Sequence, residues 1–180
     1  MVWGARRTRG GGKGVKGQKS SSEAKGLADK LAFYLLKKVN KAIRDYQLIE
    51  EGDRIAVAVS GGKDSLSLLR LLQVRQRRAR EQYDLVALHV WDERGEGDTL
   101  EPLEACFQQD GLEYHFLEMD VSEDEPRPLS CFRCSWHRRK ALFLATHRLG
   151  CNKLAFGHNA DDLAHTTLLN LFYQGRLETM

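Results

Sequence analysis

The feature that most constrains this chain is a strand, a glycine turn and a helix joined without spacers. Residues 54–59, Arg-Ile-Ala-Val-Ala-Val, form a short β-branched run that reads as a buried strand. Ser60-Gly61-Gly62-Lys63-Asp64-Ser65 follows at once. From Asp64 a leucine-rich stretch reads as a helix to about Arg80. In that setting glycines let the backbone approach phosphate oxygens, and the unpaired N–H groups of the helix start point at the anion. Ser60 and Ser65 add hydroxyl donors, Lys63 adds charge, and Asp64 can hold Mg²⁺ on the phosphates. The loop lacks the two glycines spaced by four residues of a Walker A loop, and it lacks G-x-G-x-x-G.

The rest of the chain repeats the alternation. Apolar steps of three and four predict a helix over 27–45, with a polar turn at 50–53. Strands are predicted at 84–90, 114–119 and 153–156, and helices at 100–109, 134–149 and 161–173. Gly150 stands in the usual stop position after the third crossover helix. An acidic, proline-containing loop spans 123–128. Alternating β and α implies an α/β fold, a doubly wound parallel sheet with helices on both faces. Ligands then bind at the carboxyl ends of the strands.

Charge is local rather than global. The net charge is +3, but residues 1–25 hold seven Lys or Arg against Glu23, and 127–153 hold seven more and no acid. Such excess suits a polyanionic partner, a solvated basic face being the alternative. Residues 1–26 are expected to be a disordered basic arm and 27–180 the folded domain. No apolar run is long enough to span a bilayer, and no apolar core follows the N-terminal charges, so neither a membrane nor a secretory signal is expected. The chain stops just after a strand–helix unit, and a C-terminal portion is expected to be missing.

The cysteines are Cys106, Cys131, Cys134 and Cys151, a usage that suggests a reduced, cytoplasmic setting. Cys131-Phe132-Arg133-Cys134 opens a helix that continues Ser135-Trp136-His137-Arg138-Arg139-Lys140. Two thiols at this spacing suit zinc, an iron–sulfur cluster or a redox dithiol, or arise by coincidence. Cys106 and Cys151 read better as packed residues than as further ligands. Gly157-His158-Asn159-Ala160-Asp161-Asp162 follows the last strand and opens the last helix. Its carboxylates either cap that helix or reach Mg²⁺ at a bound nucleotide.

On these residues the chain resembles a known group. Its hexapeptide resembles the PP-loop of the ATP pyrophosphatases, an adenine nucleotide alpha hydrolase-like fold that adenylates a substrate and releases pyrophosphate. The resemblance implies that Ala58, Val59, Ser60, Gly61, Gly62, Lys63, Asp64 and Ser65 grip ATP, with His89 and Val90 near the adenine. It implies that Gly157 admits the nucleotide, that Asp161 is the best catalytic or Mg²⁺-binding carboxylate, and that Asp162 is second. His158 and His165 are equally readable as packing or capping residues.

The C-x-x-C before an Arg-rich helix, and Asn170-Leu171-Phe172-Tyr173, narrow the resemblance to tRNA thiolation enzymes of the 2-thiocytidine type and their 2-thiouridine relatives. That implies Cys131 and Cys134 as ligands of a 4Fe–4S cluster, a third ligand beyond Met180, and Arg138 as a basic residue near the active site. It implies tRNA as partner, held by basic residues on the helices after Ser65 and Cys134. A sulfur donor, either a cysteine desulfurase or sulfide, is implied too, and a homodimer is compatible. A lysidine-type ligase or amidotransferase without a cluster, a tRNA 2-thiouridine synthetase, and a nucleotide-binding sensor or RNA-binding module with a structural zinc are the rival functions.

Overall fold

The β-branched runs become strands because both of their faces find apolar cover, and their order explains the site. The computed structural model describes residues 16–91, 97–121, 125 and 128–179. Residues 1–15 of the expected arm and most of the acidic loop at 123–128 lie outside the described residues. The elements are α1 (Lys16–Tyr46), β1 (Arg54–Ala58), α2 (Lys63–Gln76), β2 (Asp84–Trp91), α3 (Gly97–Gln109), β3 (Glu113–Glu118), α4 (Cys131–Arg148), β4 (Lys153–Phe156) and α5 (Ala160–Gln174). The strands form one parallel sheet in the order β3-β2-β1-β4. The chain divides into two compact units, one ending at Lys41 and the other beginning at Ala42.

Strand period sorts side chains between two faces. On one face Ala56, Val86, Leu88 and Val90 pack with Leu142 and Ala145 of α4. On the other, His89 meets Phe116 edge-on, and Phe116 in turn contacts Phe107 of α3. α4 and α3 therefore cover opposite faces, as expected of a doubly wound sheet. Order reverses between β1 and β4, each of which is followed by a loop at the carboxyl edge. That gap is the topological switch point, where open α/β sheets bind ligands.

Several boundaries differ from the sequence expectation. α1 begins at Lys16, ahead of residue 27, and α3 begins at Gly97. α2 stops at Gln76 rather than near Arg80, and the polypeptide folds back so that Arg75 pairs with Glu81 at 2.9 Å and lies over the Tyr83 ring. α4 begins at Cys131 rather than Cys134, because Ser130 caps it by accepting from the Arg133 amide. At the opposite edge, buried Asp53 pins β1 to β4 through Lys153 and Asn152, each at 2.7 Å. Burial pushes the Asp53 carboxyl up, but bonds from Lys153, the Glu50 amide and Asn152 outweigh it and hold it below the ordinary aspartate range.

Candidate nucleotide site

Of the helices that start at the carboxyl edge of the sheet, α2, α4 and α5 differ in their caps. α4 is capped by Ser130, and α5 by Asn159, which accepts from the Asp161 and Asp162 amides. Asp162 completes that capping box by accepting from the Asn159 amide at 2.8 Å. α2 has Gly62 at its cap and no side-chain cap bond. Its first-turn N–H groups are thus left for an anion.

The loop before α2 is braced from within. The Ser65 hydroxyl donates to the Gly62 carbonyl at 3.0 Å and accepts from the Ser60 amide at 3.1 Å. With its proton so used, Ser65 receives the Ser60 hydroxyl at 3.2 Å. Gly61 has φ +82°, a conformation that favours glycine. A β-carbon on Gly157 would lie 2.7 Å from the Ser65 Cα, so the loop after β4 rests directly on the start of α2. Asn159 adds a 3.4 Å bond from its amide to Asp64. The motifs after β1 and after β4, far apart in sequence, are one structure.

A cavity of about 420 Å³ opens above this junction. Ala58, Val59, Ser60, Gly62, Lys63, Asp64 and Ser65 line its floor, Leu88, Val90 and Phe156 the strand side, Arg138 and Leu142 the α4 side. Gly157 and His158 complete it. Phe156 and His158 lie parallel, with centroids 5.5 Å apart and planes within 6°. Sequence reasoning had no signal for Leu88, Leu142 or Phe156 beyond their place near strand ends or on an apolar helix face.

Other expected residues lie elsewhere. His89 is 2% exposed and its Nδ1 bonds the Val59 carbonyl at 2.7 Å. Period two turns it to the α3 face, so Leu88 and Val90 line the cavity and His89 braces the strand behind the loop. Asp161 is exposed at the α5 start, its backbone amide capped. Asp162 has its carboxylate engaged in capping, which leaves Asp161 the more available acid.

Cys131 and Cys134 sit on the first turn of α4, the first exposed and the second half-buried. At about 100° per residue, Cys131, Arg138 and Leu142 lie within roughly 40° of one another around the axis, and Cys134 within about 60° of Cys131. The thiols therefore continue the stripe that walls the cavity. Cys106 is on α3, over the opposite sheet face, and buried Cys151 precedes β4 at the far edge. Burial pushes the Cys151 thiol up. Among the described residues no group of three or more His, Cys, Asp or Glu is disposed to hold a metal ion. The donor set thus suits two of the ligands of a metal cluster and does not complete its site.

The arginines of α2 do not face the cavity. Arg70 bonds Asp110 at 2.9 Å, Arg75 is buried against Glu81, and Arg77, Arg78 and Arg80 follow the far end of α2. The expectation that basic residues on α2 hold RNA loses Arg75, and the cations that line the cavity are Lys63 at the start of α2 and Arg138 on α4. No helix among the described residues is long and apolar enough to cross a membrane.

Known proteins resemble this chain in sequence and fold. A tRNA-cytidine(32) 2-sulfurtransferase of Citrifermentans bemidjiense is 41% identical over 160 residues, covering 86% of this chain and 62% of that protein. A protein of the same name from Syntrophotalea carbinolica is 44% identical over 159 residues, covering 86% and 61%. The chain spans less than two thirds of the length of these relatives. Among solved structures, the U34-tRNA thiolase NcsA from Methanococcus maripaludis, with its 4Fe–4S cluster, matches with a TM-score of 0.65 at 25% identity, over 78% of this chain and 50% of that one. The PP-loop domain family matches residues 33–180, and with the braced loop at the switch point the chain belongs to that family.

Proposed function

We propose that the chain is the nucleotide-binding domain of an ATP-dependent tRNA thiolation enzyme acting on the C2 position of a cytidine. The observation that carries this reading is the continuity of one stripe on α4, from Leu142 and Arg138 in the cavity wall to Cys134 and Cys131. Nucleotide chemistry and sulfur chemistry would share an edge. The similarity to sulfurtransferases acting on tRNA-cytidine(32) supports cytidine, and the thiolase NcsA supports the coarser class.

The residues divide the work as follows. The uncapped first-turn amides of α2, with Lys63, take the ATP phosphates. Asp64 and Asp161 flank the junction where Mg²⁺ would be held. Leu88, Val90 and Phe156 exclude water from one wall. The C2 oxygen of the base attacks the α-phosphate, pyrophosphate leaves, and Arg138 faces the charge that develops. A sulfur nucleophile then adds at C2, and AMP departs with the original oxygen. Cys131 and Cys134 would be two of the ligands of a 4Fe–4S cluster, which when bound supplies sulfur activation that side chains cannot. The partners are tRNA and a sulfur donor, in a cytoplasmic setting.

The test is mass spectrometry of nucleosides from tRNA incubated anaerobically with the iron-reconstituted chain, ATP, Mg²⁺ and sulfide. ATP-dependent 2-thiocytidine supports the reading. 2-Thiouridine would move the substrate to uridine, and an amine-bearing base formed without iron would replace thiolation with ligation.

A further inference from the structure

Helix α4 has a second face that the cavity does not use. Phe132, Trp136 and Phe143 are exposed, and they lie roughly 100–140° around the axis from Cys131. Arg139 and Lys140 share this face, and Arg133 borders it. No acid occurs anywhere in α4.

Trp136 is 45% exposed, yet its ring is held on several sides. The Arg133 guanidinium carbon lies 5.2 Å from the ring centroid, and the Lys140 ammonium 5.6 Å. Arg133 is itself tied to Glu125. The His137 ring meets Trp136 edge-on at 5.0 Å, and buried His137 is bonded to the other Glu125 oxygen at 2.5 Å. Bonds from Arg133 outweigh burial and, with His137, hold the Glu125 carboxyl below the ordinary glutamate range. An indole fixed in this way offers a flat surface with little rotamer freedom left to lose on binding.

We propose that this face is a stacking platform for unpaired RNA bases, with Trp136 as the principal stacking residue, Arg133 bracing its ring, and Arg139 and Lys140 on the flanking phosphates. The proposal rests on the RNA reading above and adds the surface and the residue that grip the RNA beside its reacting base. Both the rings and the cations suit one ligand. Single-stranded RNA brings planar bases and phosphates together, whereas an apolar protein face would strip water from cations that have no acid on this helix. The face begins at the same sheet edge as the cavity, so a nucleotide entering the cavity has its neighbours within reach of α4.

The experiment is fluorescence and anisotropy titration of the chain with a short unstructured oligocytidylate, with an RNA duplex of equal length as competitor. The tryptophans are Trp3, Trp91 and Trp136, so Trp136→Phe isolates the signal from the ring in question. Wild type is expected to show quenching that Trp136→Phe lacks. Trp136→Ala is expected to weaken oligonucleotide binding about tenfold or more, while Trp136→Phe keeps most of the affinity and ATP binding is unchanged in both. Lys140→Ala is expected to lower the salt dependence of binding. Equal affinity of wild type and Trp136→Ala would overturn the proposal and leave the tRNA reading standing. So would loss of self-association in Trp136→Ala at constant RNA affinity, which would make the face a protein interface. A wild-type chain that binds ATP but neither oligonucleotide nor tRNA would overturn both.

Discussion

A β-carbon on Gly157 would stand 2.8 Å from the Ser65 amide nitrogen, closer than side-chain carbons approach backbone. The loop after β4 is thereby seated on the phosphate loop after β1. Gly157→Ala must push these apart, at about 1–3 kcal/mol in stability. A displacement of around 1 Å at a reacting centre costs about a hundredfold in rate. Calorimetry with ATP and Mg²⁺ should show a large loss of affinity in a chain that still folds.

Ser65 is the internal brace of the same loop, donating to Gly62 and accepting from Ser60. Ser65→Ala leaves those backbone groups partly unserved, at about 1–3 kcal/mol. Thermal unfolding should show the loss, and saturating ATP should restore part of it by binding the folded state. Ser65→Thr, which keeps the hydroxyl, should fall between.

Much of this was legible in the sequence because local chemistry was strong. Strand–Gly-Gly–helix placed the loop, and Asp161-Asp162 after β4 marked its partner. His89 shows where local reading ends. It stands at a strand end like Val90, but pleat parity sends it to the α3 face, and parity relative to a neighbouring helix is a tertiary property. Arg75 makes the same point, since an arginine in a basic run reads as solvated until Glu81 and Tyr83 fold back over it. The close approach of Gly157 to Ser65 joins segments that follow non-consecutive strands, and no spacing along the chain encodes it.

The cysteines should separate cleanly. Cys131→Ala and Cys134→Ala are expected to abolish iron retention after anaerobic reconstitution, while Cys151→Ala, at the far sheet edge, leaves iron unchanged and costs only core packing of about 1 kcal/mol. Iron content and the visible absorption of the reconstituted chain measure this. Retention of iron by both α4 variants would remove these thiols from the site.

Asp53 gives the fold an acid sensitivity. Its folded carboxyl titrates below the ordinary aspartate value, so the unfolded chain binds its proton first as pH falls. Its stabilisation is complete above the unfolded value and is lost as pH falls through the lower folded one. Asp53→Asn, which loses the Lys153 ion pair, should be less stable by about 1–3 kcal/mol at neutral pH, and its thermal unfolding should converge on wild type as the pH falls through the lowered folded range of Asp53.

Adenylation requires that ATP break between its α- and β-phosphates. Incubation of the anaerobically reconstituted chain with ATP, Mg²⁺, tRNA and sulfide, followed by chromatography of the nucleotides, tests this. AMP and pyrophosphate are expected in equal amounts, formed only when tRNA is present and lost in Lys63→Ala. Release of ADP and inorganic phosphate would contradict it.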